Sequence, residues 1–272
     1  MSRKGLGVLL GALALTCAPA VKYVQPYEPI RDVAVPVNSS LELSGYLYRP
    51  KGTGPFPAVV LMHNCAGVGG TVTPMENVAF HLRDTGYVAL VVDSFSARNQ
   101  GFTCDDPDHK SPTWRERVDD AFAAGRYLST LSFVDSKHIG LVGWSHGAIS
   151  AVLVWQQNSA ASGAPRFAAV AAYYPYCVME DISSPSVPLL ILAAERDDWC
   201  PASLCQALVN RATELGHRDV SITVYPGATH SFDNPYKGKV NDFAGHHMAP
   251  DLAAGMDSRD KLFAFFDRTL KK

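Results

Sequence analysis

Charge is scarce in this chain. Only 18% of its 272 residues are charged, with 24 Lys and Arg against 26 Asp and Glu and a net charge of −2. So even a balance gives no electrostatic case for holding a nucleic acid or an anionic membrane, and neither is expected as a partner. Beyond the N-terminus the sequence also lacks any apolar run long and charge-free enough to cross a bilayer, so no integral membrane span is expected. No internal repeat, low-complexity tract or long linker is present, which leaves one domain as the economical organisation. A metal-ligand pattern is missing too. His246 and His247 are adjacent and Asp251 follows, but no further ligand spacing accompanies them, so no metal is expected. What is abundant is apolar residue, at 47%, which suits a well-buried core and argues against disorder.

The first twenty residues differ from the rest. Arg3 and Lys4 precede the apolar run 6–16, and Ala18-Pro19-Ala20 follows as a small-residue cleavage site. Residues 1–20 therefore read as an export signal, with the mature chain starting near Val21 and a single domain over 21–272. A rival reading makes Cys17 a lipid-modified anchor, although Ala14 and Thr16 fit such a site imperfectly. Export to the periplasm or beyond permits disulfides. Without Cys17, five of the six cysteines remain, at 65, 104, 177, 200 and 205; the odd number leaves at least one thiol unpaired unless it bonds another chain.

Along the body of the chain, apolar runs alternate with amphipathic stretches. Residues 30–37 and 41–48 read as two strands around the turn Asn38-Ser39-Ser40. Residues 58–62 and 87–92 are continuous apolar strands of the kind buried on both faces, with an amphipathic stretch near 74–85 between them. A helical period covers 114–131, followed by strands at 139–142, 167–173 and 189–194. A helix over 202–215 closes at Gly216, a last strand covers 220–225, and a terminal helix covers 259–270. This alternation predicts an α/β fold: a mostly parallel central sheet with helices on both faces. In such sheets the chemically active residues sit beyond the carboxyl ends of the strands.

One segment at such an end stands out. Gly143-Trp144-Ser145-His146-Gly147 lies between the strand 139–142 and a helix-like stretch, the arrangement of a nucleophile elbow. A serine there needs a base, because its hydroxyl is a weak nucleophile at neutral pH. Of nine histidines, His230 lies in a turn-rich loop just past the last strand, whereas His138 and His217 fall at the wrong strand ends and His81 within a helix. The imidazole in turn needs a carboxylate to orient it. Asp197 is the first choice after the strand 189–194, ahead of its neighbour Asp198, and Glu195 lies slightly early. The order Ser145, Asp197, His230 is the one an α/β-hydrolase triad follows. Oxyanion donors are expected from the backbone N–H of His146 and of Cys65, with Asn64 as the second choice for the latter.

With these motifs on the page, the chain from about residue 41 onward resembles the dienelactone hydrolase family of the α/β-hydrolase superfamily. The resemblance rests on His63-Asn64-Cys65-Ala66-Gly67, Asp93-Ser94-Phe95-Ser96-Ala97-Arg98, the elbow, Asp197-Asp198-Trp199-Cys200-Pro201 and Gly227-Ala228-Thr229-His230-Ser231-Phe232. It implies a compact fold with a minimal lid or none, and hydrolysis of esters or lactones, on a small molecule or a polymer, without a cofactor. The enzyme that names the family uses a cysteine nucleophile, whereas this elbow carries serine, which shifts the expectation towards general carboxylic ester hydrolysis. A peptidase or acyltransferase on the same fold, or an inactive binding module, are the rival readings.

Strand-end aromatics Trp144, Trp199 and Phe95 are candidates for a substrate pocket, as core packing is for each of them. Arg98 reads either as an anchor for a substrate carboxylate or as a salt-bridge partner. Cys65 and Cys104 follow two strands expected to be neighbours, and Cys177 follows one strand while Cys205 lies in the helix after the next, so Cys65–Cys104 and Cys177–Cys205 are the expected bridges, with Cys200–Cys205 as the competing local pair.

Overall fold

The apolar run at 58–62 sits at the middle of an eight-stranded sheet. A computed structural model describes residues 30–68, 74–104, 113–157, 166–180, 182, 187–235, 241–243 and 245–271. The expected export signal lies outside them. The strands are β1 (Arg31–Pro36), β2 (Glu42–Tyr48), β3 (Phe56–Met62), β4 (Val88–Asp93), β5 (Val134–Trp144), β6 (Ala169–Tyr173), β7 (Leu189–Ala194) and β8 (Val220–Tyr225). They lie in the order β1-β2-β4-β3-β5-β6-β7-β8. β1 pairs with β2 and β2 with β4 antiparallel, and the remaining pairings, from β4 to β8, are parallel.

Side chains alternate across this sheet with the strand period of two. On β3, Ala58, Val60 and Met62 enter the core shared with α2 (Glu116–Ser129), α3 (His146–Gln157) and α4 (Ala202–Glu214). Val59 and Leu61 enter the opposite core, shared with α1 (Pro74–Asp84) and α5 (Leu252–Leu270). Both faces are thus covered, which is why the central strands read as unbroken apolar runs.

The elements follow the sequence expectation closely, with three departures. Strand β5 begins at Val134, five residues before the expected start at 139. Helix α5 starts seven residues before position 259, because Asp251 caps it by accepting the Ala254 N–H at 3.0 Å. The polar stretch before it folds into a small hairpin, β9 (Asn241–Phe243) with β10 (His246–Met248).

The order of the strands fixes where a site can form. From β3 the chain runs to β4 on one side, and from β4 it crosses back to β5 on the other side of β3, a reversal that opens a crevice beyond the carboxyl ends of these strands. There Met62 of β3 is in register with Gly143 of β5.

Candidate active site

β5 ends at Trp144 and α3 begins at His146, so Ser145 alone makes the turn. Its φ is 50°, a left-handed conformation that a non-glycine residue rarely adopts, at a cost of about 1–2 kcal/mol. Surroundings hold it there. The Ser145 N–H donates to the Tyr173 carbonyl at 3.0 Å, and the Ile149 N–H donates to the Ser145 carbonyl at 2.9 Å. The flanking glycines are dictated by contact. A Cβ on Gly143 would stand 2.2 Å from the Gly147 oxygen, and one on Gly147 would stand 2.3 Å from the Met62 oxygen. The turn is therefore packed directly onto the end of β3.

His230 comes from the loop after β8, and the loop is pinned on both sides. The Gly227 N–H donates to Glu195 Oε2 at 2.8 Å, and the Arg196 N–H donates to the Ala228 carbonyl at 2.8 Å. Further on, the Ala249 N–H donates to Thr229 Oγ1 at 2.7 Å. Glu195 thus serves the loop rather than the imidazole. So held, His230 accepts the Ser145 hydroxyl on Nε2 at 2.9 Å and donates its Nδ1–H to Asp197 Oδ2 at 2.8 Å. The His230 and Asp197 side chains are 4% and 0% exposed, so water does not compete for that hydrogen bond. The other oxygen of Asp197 accepts the N–H groups of Trp199 and Cys200, at 3.0 and 2.7 Å. Asp198 turns away: it sits half exposed, 3.4 Å from His246 Nδ1, and accepts the His247 N–H at 3.2 Å.

Beside this line lie the expected backbone donors. His146 is the first residue of α3, where backbone N–H groups have no partner within the helix. Cys65 lies in the loop after β3, its carbonyl accepting the Thr103 N–H at 2.9 Å and its sulfur bonded to Cys104. Cys65, Ser145 and His146 border one cavity of about 360 Å³, whose other walls include Trp114, Ile149, Tyr176 and Trp199. Trp199 also leans on the His230 ring at 5.2 Å and stacks on His246 at 4.4 Å.

Two of the three candidate pocket aromatics lie elsewhere, a correction to the sequence expectation. Trp144 follows the strand alternation to the same face as Val142, stacks on Tyr173 at 5.2 Å and donates its Nε1–H to Asp233 at 3.0 Å. Phe95 is buried edge-on against His63 at 4.4 Å. Trp199 does line the cavity. Arg98 is committed to the buried Asp120 through two hydrogen bonds of 3.0 and 2.8 Å. The sulfurs pair as Cys65–Cys104 and Cys177–Cys205, leaving Cys200 as a buried free thiol.

Two buried groups had no sequence signal. Asp233, whose carboxyl burial pushes above the usual carboxylate range, accepts from both Trp144 and the Tyr174 hydroxyl, the latter at 2.8 Å. Arg117 of α2 is wholly buried against His63 and His146. For metals, Asp197, Cys200 and His230 bring three ligand atoms within 4.8 Å of one another. Two of these residues are already hydrogen-bonded to each other, and burial pushes the Cys200 thiol up, away from the thiolate that binds metals. Asp251 is spent as a helix cap, away from His246 and His247.

A hydroxyl hydrogen-bonded to an imidazole, itself oriented by a buried carboxylate, can lose its proton as it attacks an electrophilic carbon. Comparison with known proteins gives the family. The family model described as "Dienelactone hydrolase family" matches residues 43–270. A Bradyrhizobium protein named "Probable 2-oxo-3-(5-oxofuran-2-ylidene)propanoate lactonase" is 24% identical over 215 residues, 73% of this chain and 82% of its own length. A Mycobacterium tuberculosis protein named only "Uncharacterized protein" is 30% identical over 227 residues, 77% of this chain and 75% of its own. Among solved structures, a dienelactone hydrolase-like promiscuous phosphotriesterase from metagenomic libraries superposes with a TM-score of 0.72 at 19% identity, covering 89% of this chain and 98% of that one. The chain belongs to the dienelactone hydrolase family of hydrolases.

Proposed function

We propose that this hydrolase cleaves neutral carboxylic esters or lactones through an acyl-enzyme formed on Ser145. The observation that carries this reading is the continuous hydrogen-bonded line from Ser145 Oγ through His230 to Asp197, opening on an apolar cavity. Ser145 Oγ attacks the ester carbonyl while His230 Nε2 takes its proton, and Asp197 stabilises the imidazolium that forms. The N–H groups of His146 and Cys65 hold the tetrahedral oxyanion. His230 then gives the proton to the leaving alcohol, and water repeats the sequence to free the acid and restore the serine.

Cavity chemistry favours the substrate class. Trp114, Ile149 and Trp199 offer apolar surface to an acyl or aryl group. Arg98, the residue open to reading as a carboxylate anchor, already has its counter-ion in Asp120. We also place the protein in an oxidising, exported compartment. Two disulfides suit it, and residues 1–20 supply the signal.

Fluorophosphonate labelling followed by peptide mapping tests the mechanism. The expected adduct is on Ser145, and Ser145→Ala is expected to lower turnover of a neutral p-nitrophenyl ester by about three orders of magnitude or more. A label on another residue, or a folded Ser145→Ala protein working at the native rate, overturns the reading.

A further inference from the structure

Arg117 is the largest charged side chain in the core and is 0% exposed. Burial works against its charge, which Asp120 nearby favours. Its Nε finds no acceptor among the described residues. A cation kept so far from water and incompletely satisfied demands a reason beyond packing, because removing a charge from solvent costs several kcal/mol.

The reason lies in what its two terminal nitrogens hold. Nη2–H donates to the His63 carbonyl at 2.7 Å, at the point where the chain leaves β3 for the loop carrying Cys65. Nη1–H donates to His146 Nδ1 at 2.7 Å, on the first residue of α3. One planar group thus spans the two segments that supply the backbone N–H groups of Cys65 and His146. The segments touch closely: a Cβ on Gly147 would lie 2.5 Å from the same His63 oxygen. His63 itself is fixed, donating Nδ1–H to the Asn64 carbonyl at 2.6 Å and accepting the Ser94 N–H on Nε2 at 3.2 Å. Phe95 closes the assembly, with the guanidinium carbon 5.2 Å from its ring centre.

We propose that Arg117 is a positioning residue that locks the separation of the two oxyanion donors, acting through the His63 carbonyl and the His146 ring. The clamp rests on the reading of Ser145 as nucleophile. Oxyanion donors work because they are already aimed where charge develops. A guanidinium holds two acceptors at a set angle, which an ammonium on a flexible stem does not. The effect of losing it therefore falls on the transition state and spares ground-state binding.

The test compares wild type with Arg117→Met and Arg117→Lys, using p-nitrophenyl butyrate for kcat and KM and an alkyl trifluoromethyl ketone, which forms a tetrahedral adduct on serine. Rates are taken per site titrated to completion with fluorophosphonate, so unfolded protein does not count. For both variants kcat is expected to fall by about 100-fold with KM within about threefold of wild type, and ketone affinity to fall in proportion to kcat/KM. A residue that merely packs would leave kcat per titrated site unchanged. Where Arg117→Met does not fold, Arg117→Lys decides by the same measurements. Native kcat per site, or a loss carried in KM alone, overturns the clamp while leaving Ser145 as nucleophile. A wild-type protein that neither hydrolyses the ester nor takes the label on Ser145 removes the reading beneath it, and the clamp with it.

Discussion

Asp197 gives one carboxylate oxygen to His230, at 2.8 Å from Nδ1, and keeps the other for the N–H groups of Trp199 and Cys200. The neighbouring Asp198 has a side chain 49% exposed and faces His246. Asp197→Asn should therefore cost about three to four orders of magnitude in kcat, since an amide there can present its NH2 to Nδ1 and turn the imidazole to the wrong tautomer. Asp198→Asn should stay within about threefold of wild type, the range expected of an exposed pair. Steady-state kinetics on both purified variants checks this, and equal losses would refute the assignment.

Gly147 offers a test of the elbow from the packing side. Its missing Cβ would stand 2.3 Å from the Met62 oxygen and 2.5 Å from the His63 oxygen, both backbone atoms. Gly147→Ala should destabilise the fold by about 3 kcal/mol, at the upper end for overpacking, because no side-chain rotation relieves the clash. Urea unfolding measures that loss, and a midpoint equal to wild type would show that the turn is looser than described.

The two disulfides should separate stability from activity. They close sequence separations of 39 and 28 residues, so chain entropy gives each about 4 kcal/mol of stabilisation. Of the two, only Cys65–Cys104 has its sulfur-bearing residues on the cavity wall, with Cys65 the proposed oxyanion donor. Paired serine substitutions at either bridge should lower Tm similarly. At a temperature where both proteins are folded, the 65/104 pair should lose at least about tenfold in kcat and the 177/205 pair little. Thermal melts and ester kinetics on the same samples distinguish the outcomes.

His63 should make stability fall in acid. Burial, aided by Arg117, holds its pKa well below that of an ordinary histidine. As pH drops through about 6.5, the unfolded chain binds a proton that the native ring refuses. Native stability then declines by up to about 1.4 kcal/mol per pH unit from this group, until the depressed native pKa is reached. His63→Gln should flatten that slope. Urea midpoints at several pH values between 5 and 7.5 measure it, and an unchanged slope would place the acid sensitivity elsewhere.

The unbroken apolar runs announced the central strands because both sheet faces are covered, and a run such as 58–62 has no solvent side to mark. The elbow was legible because two glycines and a serine at a strand-to-helix junction answer one steric problem. Less could be read where neighbours differ only in direction. The place of Trp144 at a strand end leaves both pocket and core open to it, and counting two residues back to Val142 is what sends it to the other face. Arg117 escaped notice because an arginine in an amphipathic stretch ordinarily faces water, and nothing local records that His63 and His146 wait beneath it. The first turns of α5 were missed because Leu252 is 69% exposed and breaks the apolar period.

Trp199 is wall and bearing at once: one indole borders the cavity, leans on the imidazole of His230 and stacks on His246 of the small hairpin. On the proposed reaction, a guest that fits would leave His230 where it is, and one too bulky would push the indole and misalign the imidazole. Discrimination by size would then fall on the speed of reaction rather than on admission, and oversized esters would occupy the protein and linger there unconverted.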